Sequence, residues 1–233
     1  MSMITIFRSV SSEIQLPQIL AMIMGYFFAV VIAFSLHEFS HASMAYKLGD
    51  STPKAMGRLT LNPIRHLDPI GLIGLLFFGF GWARPVAVNP LNFRHYRRYM
   101  FLVSISGVVT NIILAFLFSG CYFFYVNNVA SFDSAGNILF SNSFLFFVYY
   151  FFLYSILFNI ALFIFNLIPI YPLDGFNAIN CIFNLNAKFK DFMYRYGGII
   201  MLIFVISPLF DIIYGEITYG LTGIFFKFWR LFS

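Results

Sequence analysis

The sequence predicts an all-α polytopic membrane protein, with four to five transmembrane helices plus a re-entrant or short hairpin element. Three observations carry this. Of 233 residues, 61% are hydrophobic and 10% charged, against roughly 45–50% and about 25% in an ordinary soluble domain. Apolar runs long enough to cross about 30 Å of hydrocarbon recur along the chain. Basic residues gather at alternate ends of those runs, as cytoplasmic flanks do. A soluble enzyme, a disordered chain and a disulfide-stapled secreted domain are excluded. The length suits one membrane-embedded domain over residues 1–233.

Met1–Pro17 lacks a basic segment followed by a short apolar core and a small-residue cleavage site, so no removable signal peptide is expected. The first span runs from about Ile19 to Tyr46, with Gly49 as its stop signal. A polar, basic stretch follows to Pro69. Ile70–Trp82 is apolar but short, and holds Gly71, Gly74, Gly79 and Gly81; it reads as re-entrant. Arg84–Pro90 alternates briefly between prolines, which suggests a short edge strand. The second span covers about Tyr99–Tyr125. Asn127–Asn142 is a polar loop without Lys or Arg. The third span covers about Ser143–Leu167, and the fourth about Tyr196–Tyr214. Glu216–Ser233 is either a short fifth span or an interfacial helix.

Eight of the 14 basic residues lie between Lys47 and Arg98, and three more between Lys188 and Arg195. The segments after spans one and three should therefore be cytoplasmic, and the Asn127 loop should face out. The net charge of +5 thus points to the lipid bilayer as partner, not to nucleic acid. Cys121 and Cys181 fall on opposite sides of the membrane in this topology, so neither a mutual disulfide nor a metal pair is expected.

The chemistry begins at the end of the first span, which reads His37-Glu38-Phe39-Ser40-His41, an H-E-x-x-H pattern. On a helix, residues four apart project from nearly one face, so His37 and His41 can offer two imidazoles to one metal ion. Glu38 flanks that row, where it can act as general base on a water at the metal. Three ionisable groups in a hydrophobic span are costly without partners. The plainer alternative is a set of hydrogen-bonded polar groups bridging helices.

A catalytic zinc usually takes a third protein ligand and keeps one position open. Asp50, His66, Asp68, His95, Asp174 and Asp191 are the candidates on the cytoplasmic side. Asp174 stands out, because Pro169, Pro172 and Gly175 break the helix around it and let the acid turn inward. The same Pro-x-Asp-Gly text also suits a helix N-cap, and spacing alone leans slightly to the cap. His66 and Asp68 read as loop residues, His95 as an interfacial contact, and Asp211 and Glu216 as interfacial acids. Gly107 and Asn111 suit close helix approach and an interhelical hydrogen bond. Trp82 and Trp229 suit the membrane interface.

His37–His41 and Asn166-Leu-Ile-Pro-Ile-Tyr-Pro-Leu-Asp174-Gly175 together resemble the two motifs of the site-2 protease family of intramembrane zinc metalloproteases. Met56–Pro63, Gly81–Pro90 and Ser106–Asn111 are similar to its small members without PDZ or CBS domains. The resemblance is carried by Phe34–Gly175. It implies that His37, His41 and Asp174 bind one Zn2+ per chain and that Glu38 activates the water. It implies that Asn166 steadies the oxyanion or the substrate backbone. A transmembrane protein substrate and a bacterial inner membrane, with the active site toward the cytoplasm, are implied in the same way. Two other classes stand beside this reading: a transporter or metal-permeation protein using the same cluster, and a catalytically inactive membrane scaffold. The sequence assigns no oligomeric state.

Overall fold

A computed structural model describes residues 15–78, 81–129, 131–132, 138–139 and 142–233. Gly79, Asp133, Gly136 and most of the segment read for a signal peptide lie outside them. Eight helices are present among the described residues. Four, at Leu16–Lys47, Tyr96–Val129, Ser143–Leu167 and Pro208–Phe232, are long and apolar enough to cross a membrane.

Helix α1, Leu16–Lys47, starts from a reciprocal capping box between Gln15 and Gln18, with Pro17 in its first turn. It stops at Gly49, whose positive φ is a left-handed conformation that glycine adopts without a Cβ penalty. A short α2, Thr52–Ala55, follows in the loop. Helix α3, Pro69–Phe78, occupies the stretch that the sequence reads as re-entrant. It is about half the length that a span of the hydrocarbon core requires. Asp68 Oδ1 accepts from Gly71 N at 2.9 Å at its start. Leu75 and Leu76 are buried against α1.

The expected edge strand at Arg84–Pro90 is not formed. The segment is extended, with one antiparallel bridge, Leu67 to Ala83, just before it. Prolines at positions 85 and 90 have no N–H for a ladder, and the Arg84, Val86 and Asn89 N–H groups are bonded to His66 O, Glu38 Oε2 and Asp50 Oδ2. Helix α4, Tyr96–Val129, and helix α5, Ser143–Leu167, are antiparallel neighbours. Between them Ser131–Phe132 (β1) pairs antiparallel with Ile138–Leu139 (β2). Asn142 caps α5 by accepting from Leu145 N at 3.0 Å.

The fourth predicted span, Tyr196–Tyr214, is a correction. Helix α7, Ala187–Ile206, ends before Ser207, and α8, Pro208–Trp229, starts afresh. Pro208 cannot continue a helix through its own nitrogen, and it biases Ser207 toward extended geometry. Ser207 is indeed extended. The tail left open by the sequence is thus the body of α8, a candidate span in its own right.

Helices α1, α3 and α5 share one apolar core, built from Tyr26, Ala29, Val30, Ala33 and Phe34 with Leu75, Phe146, Tyr154 and Leu162. Gly25 permits a close approach of α1 to α5. A Cβ there would sit 2.9 Å from the backbone nitrogen of Phe151. A second core joins α4, α5 and α8 through Ala115, Ile156, Ile160, Ile164 and Phe225. Trp229, which the sequence suits to the membrane interface, packs on α4, donating Nε1–H to Ser119 Oγ at 2.9 Å and stacking on Phe116. Gly120 provides the hollow for its indole. Helix α7 is mostly exposed, with Gly197 its one buried residue among those described.

Asp50 knots the loops together. Fully buried, it accepts from Thr52 N (3.0 Å), Thr52 Oγ1 (2.6 Å), Asn89 N (2.8 Å) and Asn92 Nδ2 (2.6 Å). Burial alone would raise its pKa, but these hydrogen bonds to the carboxylate lower it below the usual range. Its contribution to stability is therefore present above about pH 4, the ordinary carboxylate value, and is lost as pH falls through the lowered folded value. Asp50→Ala is expected to cost about 1.5–3 kcal/mol by leaving these donors unpaired. Thermal unfolding in detergent at pH 7 against pH 3 checks this: the gap between wild type and variant should narrow at the lower pH.

Candidate metal centre

The H-E-x-x-H spacing places His37 and His41 one above the other on the buried face of α1, as helical geometry requires. Their rings meet edge to face at 4.6 Å, and the Nε2 atoms are 3.0 Å apart. Across from them, the chain leaves α5 at Leu167, turns through Pro169 and Pro172, and enters α6, Asp174–Phe183. Gly175 sits against the carbonyls of Leu167 and Ile168, and a side chain there would drive into them. This tight return brings Asp174 Oδ2 to 3.3 Å from His37 Nε2 and 3.1 Å from His41 Nε2.

The N-cap alternative for Asp174 does not hold: Leu173 is the cap residue, and no side chain caps this helix. The carboxylate faces the imidazoles instead.

The donor set fits a metal. One ligand atom each from His37, His41 and Asp174 lie within 4.8 Å of one another. Buried Asp174 Oδ2 has no hydrogen-bond donor. His41 Nδ1 faces the Val103 carbonyl at 2.8 Å. That carbonyl can only accept, so Nδ1 carries a proton, and in the neutral imidazole Nε2 holds the lone pair. Ser106 Oγ donates to the same carbonyl at 2.7 Å. Lone pairs turned on one another in a buried site need a cation between them. The two-imidazole, one-carboxylate set is a zinc-type set that leaves room for a further ligand.

Glu38 is buried beside this cluster, and its Oε2 accepts from Val86 N at 3.1 Å. The extended Arg84–Pro90 segment therefore holds the acid in place. Gly107 of α4 lies directly against both imidazoles. His37 Nδ1 is 2.6 Å from Asn111 Oδ1. Asn166 lines the same cavity and donates Nδ2–H to Leu162 O at 3.1 Å.

A cavity of about 790 Å³ opens from the cluster. It extends along α1 as far as Tyr26, which also lines it. Its wall is aromatic and aliphatic, including Phe34, Trp82, Tyr154, Phe158 and Tyr214. Asp211, read from sequence as an interfacial acid, borders this cavity while remaining exposed. The other third-ligand candidates stand elsewhere. Asp50 and Asp68 hold loops, His66 Nε2 bonds Thr60 O at 2.7 Å, and His95 packs edge-on to Tyr99. Asp191 is exposed and does not join the group.

Sequence reasoning passed over Asn159 and Val86. An amide in an otherwise apolar span was a legible signal for Asn159. Val86 acts through its backbone N–H, which every residue but proline carries.

An H-E-x-x-H pair closed by a distant aspartate inside apolar helices defines a membrane-embedded metalloprotease. The comparisons agree. The chain is 41% identical over 181 residues to "Putative zinc metalloprotease YwhC" of Bacillus subtilis, spanning 77% of this chain and 79% of that protein. It is 26% identical over 198 residues to "Putative zinc metalloprotease Rip2" of Mycolicibacterium smegmatis, 81% of this chain and 69% of that one. The Rip2 of Mycobacterium tuberculosis is 30% identical over 156 residues, 64% of this chain and 53% of the relative. No family model and no solved structure matches. The chain belongs to the site-2 protease family of intramembrane zinc metalloproteases.

Proposed function

We propose that this protein hydrolyses a peptide bond in or near a transmembrane segment of a membrane-protein substrate, at a single zinc held by His37, His41 and Asp174. The observation that carries the reading is the convergence of those three ligand atoms beside Glu38, at the end of an apolar cavity within the helices. When bound, the metal supplies Lewis-acid polarisation of a carbonyl and acidification of water.

The residues of the chain do the rest. Glu38 takes a proton from the attacking water and returns it to the leaving amine. The Val86 N–H keeps the Glu38 carboxylate oriented. Asn166 offers its amide to the oxyanion or to the substrate backbone. A substrate helix hides its carbonyls in its own hydrogen bonds, so it unwinds before attack. The extended Arg84–Pro90 segment offers backbone groups to that unwound stretch.

Eleven of the 14 basic residues flank the ends of the spans that meet at this cluster, which supports a cytoplasmic active site in a bacterial inner membrane. The single domain over residues 1–233 belongs to the same reading. Quantitative proteomics of membrane-protein fragments, in cells carrying wild type or Glu38→Gln, tests it. Fragments found only with wild type identify the substrate. Identical fragment sets, with metal flux in proteoliposomes, assign the cluster to ion transit instead.

A further inference from the structure

We infer that Asn111 and Asn159 form a two-amide relay that sets the tautomer of His37 and ties the metal centre to helix α5. The relay rests on the zinc reading above and extends it to residues that touch no metal. It runs through three helices. His37 Nδ1 on α1 is 2.6 Å from Asn111 Oδ1 on α4. Asn111 Nδ2 is 2.9 Å from Asn159 Oδ1 on α5. Asn159 Nδ2 is 2.8 Å from the backbone oxygen of Ser155. Both asparagines are fully buried, so no water substitutes for a missing partner.

The far end fixes the direction of every bond. The Ser155 carbonyl can only accept, so Asn159 must present its NH2 there and its oxygen to Asn111. Asn111 must then donate to Asn159 and turn its own oxygen toward His37. A bare oxygen at 2.6 Å requires the proton on His37 Nδ1. The lone pair is left on Nε2, which faces Asp174 and His41.

The two imidazoles are thus prepared in different ways. His41 is set by the Val103 carbonyl in one step. His37 depends on side chains from two other helices. Helix α5 carries the last amide of the relay and, two turns on, leads through Asn166 to Asp174. One helix therefore governs both the orientation of one ligand and the delivery of another. Asn111 and Asn159 are positioning residues, and partners of this kind typically carry about 10–100-fold in metal affinity.

Zinc affinity by chelator competition, metal-free thermal unfolding and histidine 15N shifts of the purified full chain test the relay. Asn111→Leu is expected to weaken zinc binding about 10–100-fold. Asn111→Asp keeps an acceptor for His37 Nδ1–H but removes the donor that Asn159 Oδ1 needs, so it is expected to weaken zinc binding less than Asn111→Leu. Asn159→Leu, which touches neither ligand, should weaken zinc in the same direction by less, and it serves if Asn111→Leu does not fold. Lower unfolding temperatures with unchanged zinc affinity in both leucine variants would reduce the pair to interhelical glue and overturn the inference. In the metal-free wild type, 15N shifts should place the His37 proton on Nδ1; a proton on Nε2 also overturns it. Wild type that binds no zinc, with the proton still on Nδ1, overturns the protease reading and leaves the relay standing.

Discussion

Glu38→Gln is expected to lower the cleavage rate of a reconstituted transmembrane substrate by about 10²- to 10⁴-fold, the usual contribution of a general base, with zinc content unchanged. Glutamine conserves the volume of the buried side chain and keeps an oxygen for the Val86 N–H, so the extended segment has no reason to move. It cannot take a proton from water. Side-by-side turnover and metal analysis of wild type and variant check this. Full activity in the variant removes Glu38 from the mechanism, and loss of zinc along with activity gives it a structural role instead.

Gly107→Ala is expected to weaken the metal centre, although Gly107 carries no functional group. The added methyl would lie 2.7 Å from His37 Nδ1 and 2.5 Å from His37 Cε1, and closer still to His41 Nε2. Neither ring can swing aside cheaply, since Asn111 holds one and the Val103 carbonyl the other. Overpacking of this kind costs about 1–3 kcal/mol, equivalent to about 5- to 150-fold in metal affinity. Gly198→Ala is the matched control, because a Cβ there meets nothing within 4 Å. Zinc occupancy and cleavage should fall in the first variant and hold in the second. Equal occupancy in both would mean that the rings yield.

The helical site was legible because its signals are local or chemical. Spacing of four residues fixes the face of His37 and His41, and hydropathy marks long spans without reference to neighbours. What escaped depended on partners distant in sequence. The role of Asp174 turned on whether the chain doubles back, and turn text suits a cap and a return equally; the packing of Gly175 against the Leu167 and Ile168 carbonyls decides it. The break at Ser207–Pro208 was visible as a proline but was overridden by continuous hydropathy. Asn159 was one polar residue among apolar ones, and only its approach to Asn111 gives it a meaning. The Arg84–Pro90 segment had the alternation of a strand, but its Arg84, Val86 and Asn89 N–H groups go to His66, Glu38 and Asp50 instead of a ladder.

The way α8 is fastened has a mechanical consequence. Its C-terminal end is riveted to α4 by Trp229, seated over Gly120 and bonded to Ser119. Its N-terminal end, carrying Phe210 and Asp211 along the cavity, joins an α7 that is largely exposed. That end is held to α5 by Tyr214 Oη, which donates to Leu157 O at 3.2 Å, and by Phe210 edge-on to Phe165. In water, parting such a wall would be opposed by newly wetted apolar surface. In lipid the acyl chains replace the lost neighbours, so only packing contacts and interhelical hydrogen bonds oppose the movement. The same solvent that forces the helices to satisfy their backbone internally therefore opposes the parting of this wall less than water would.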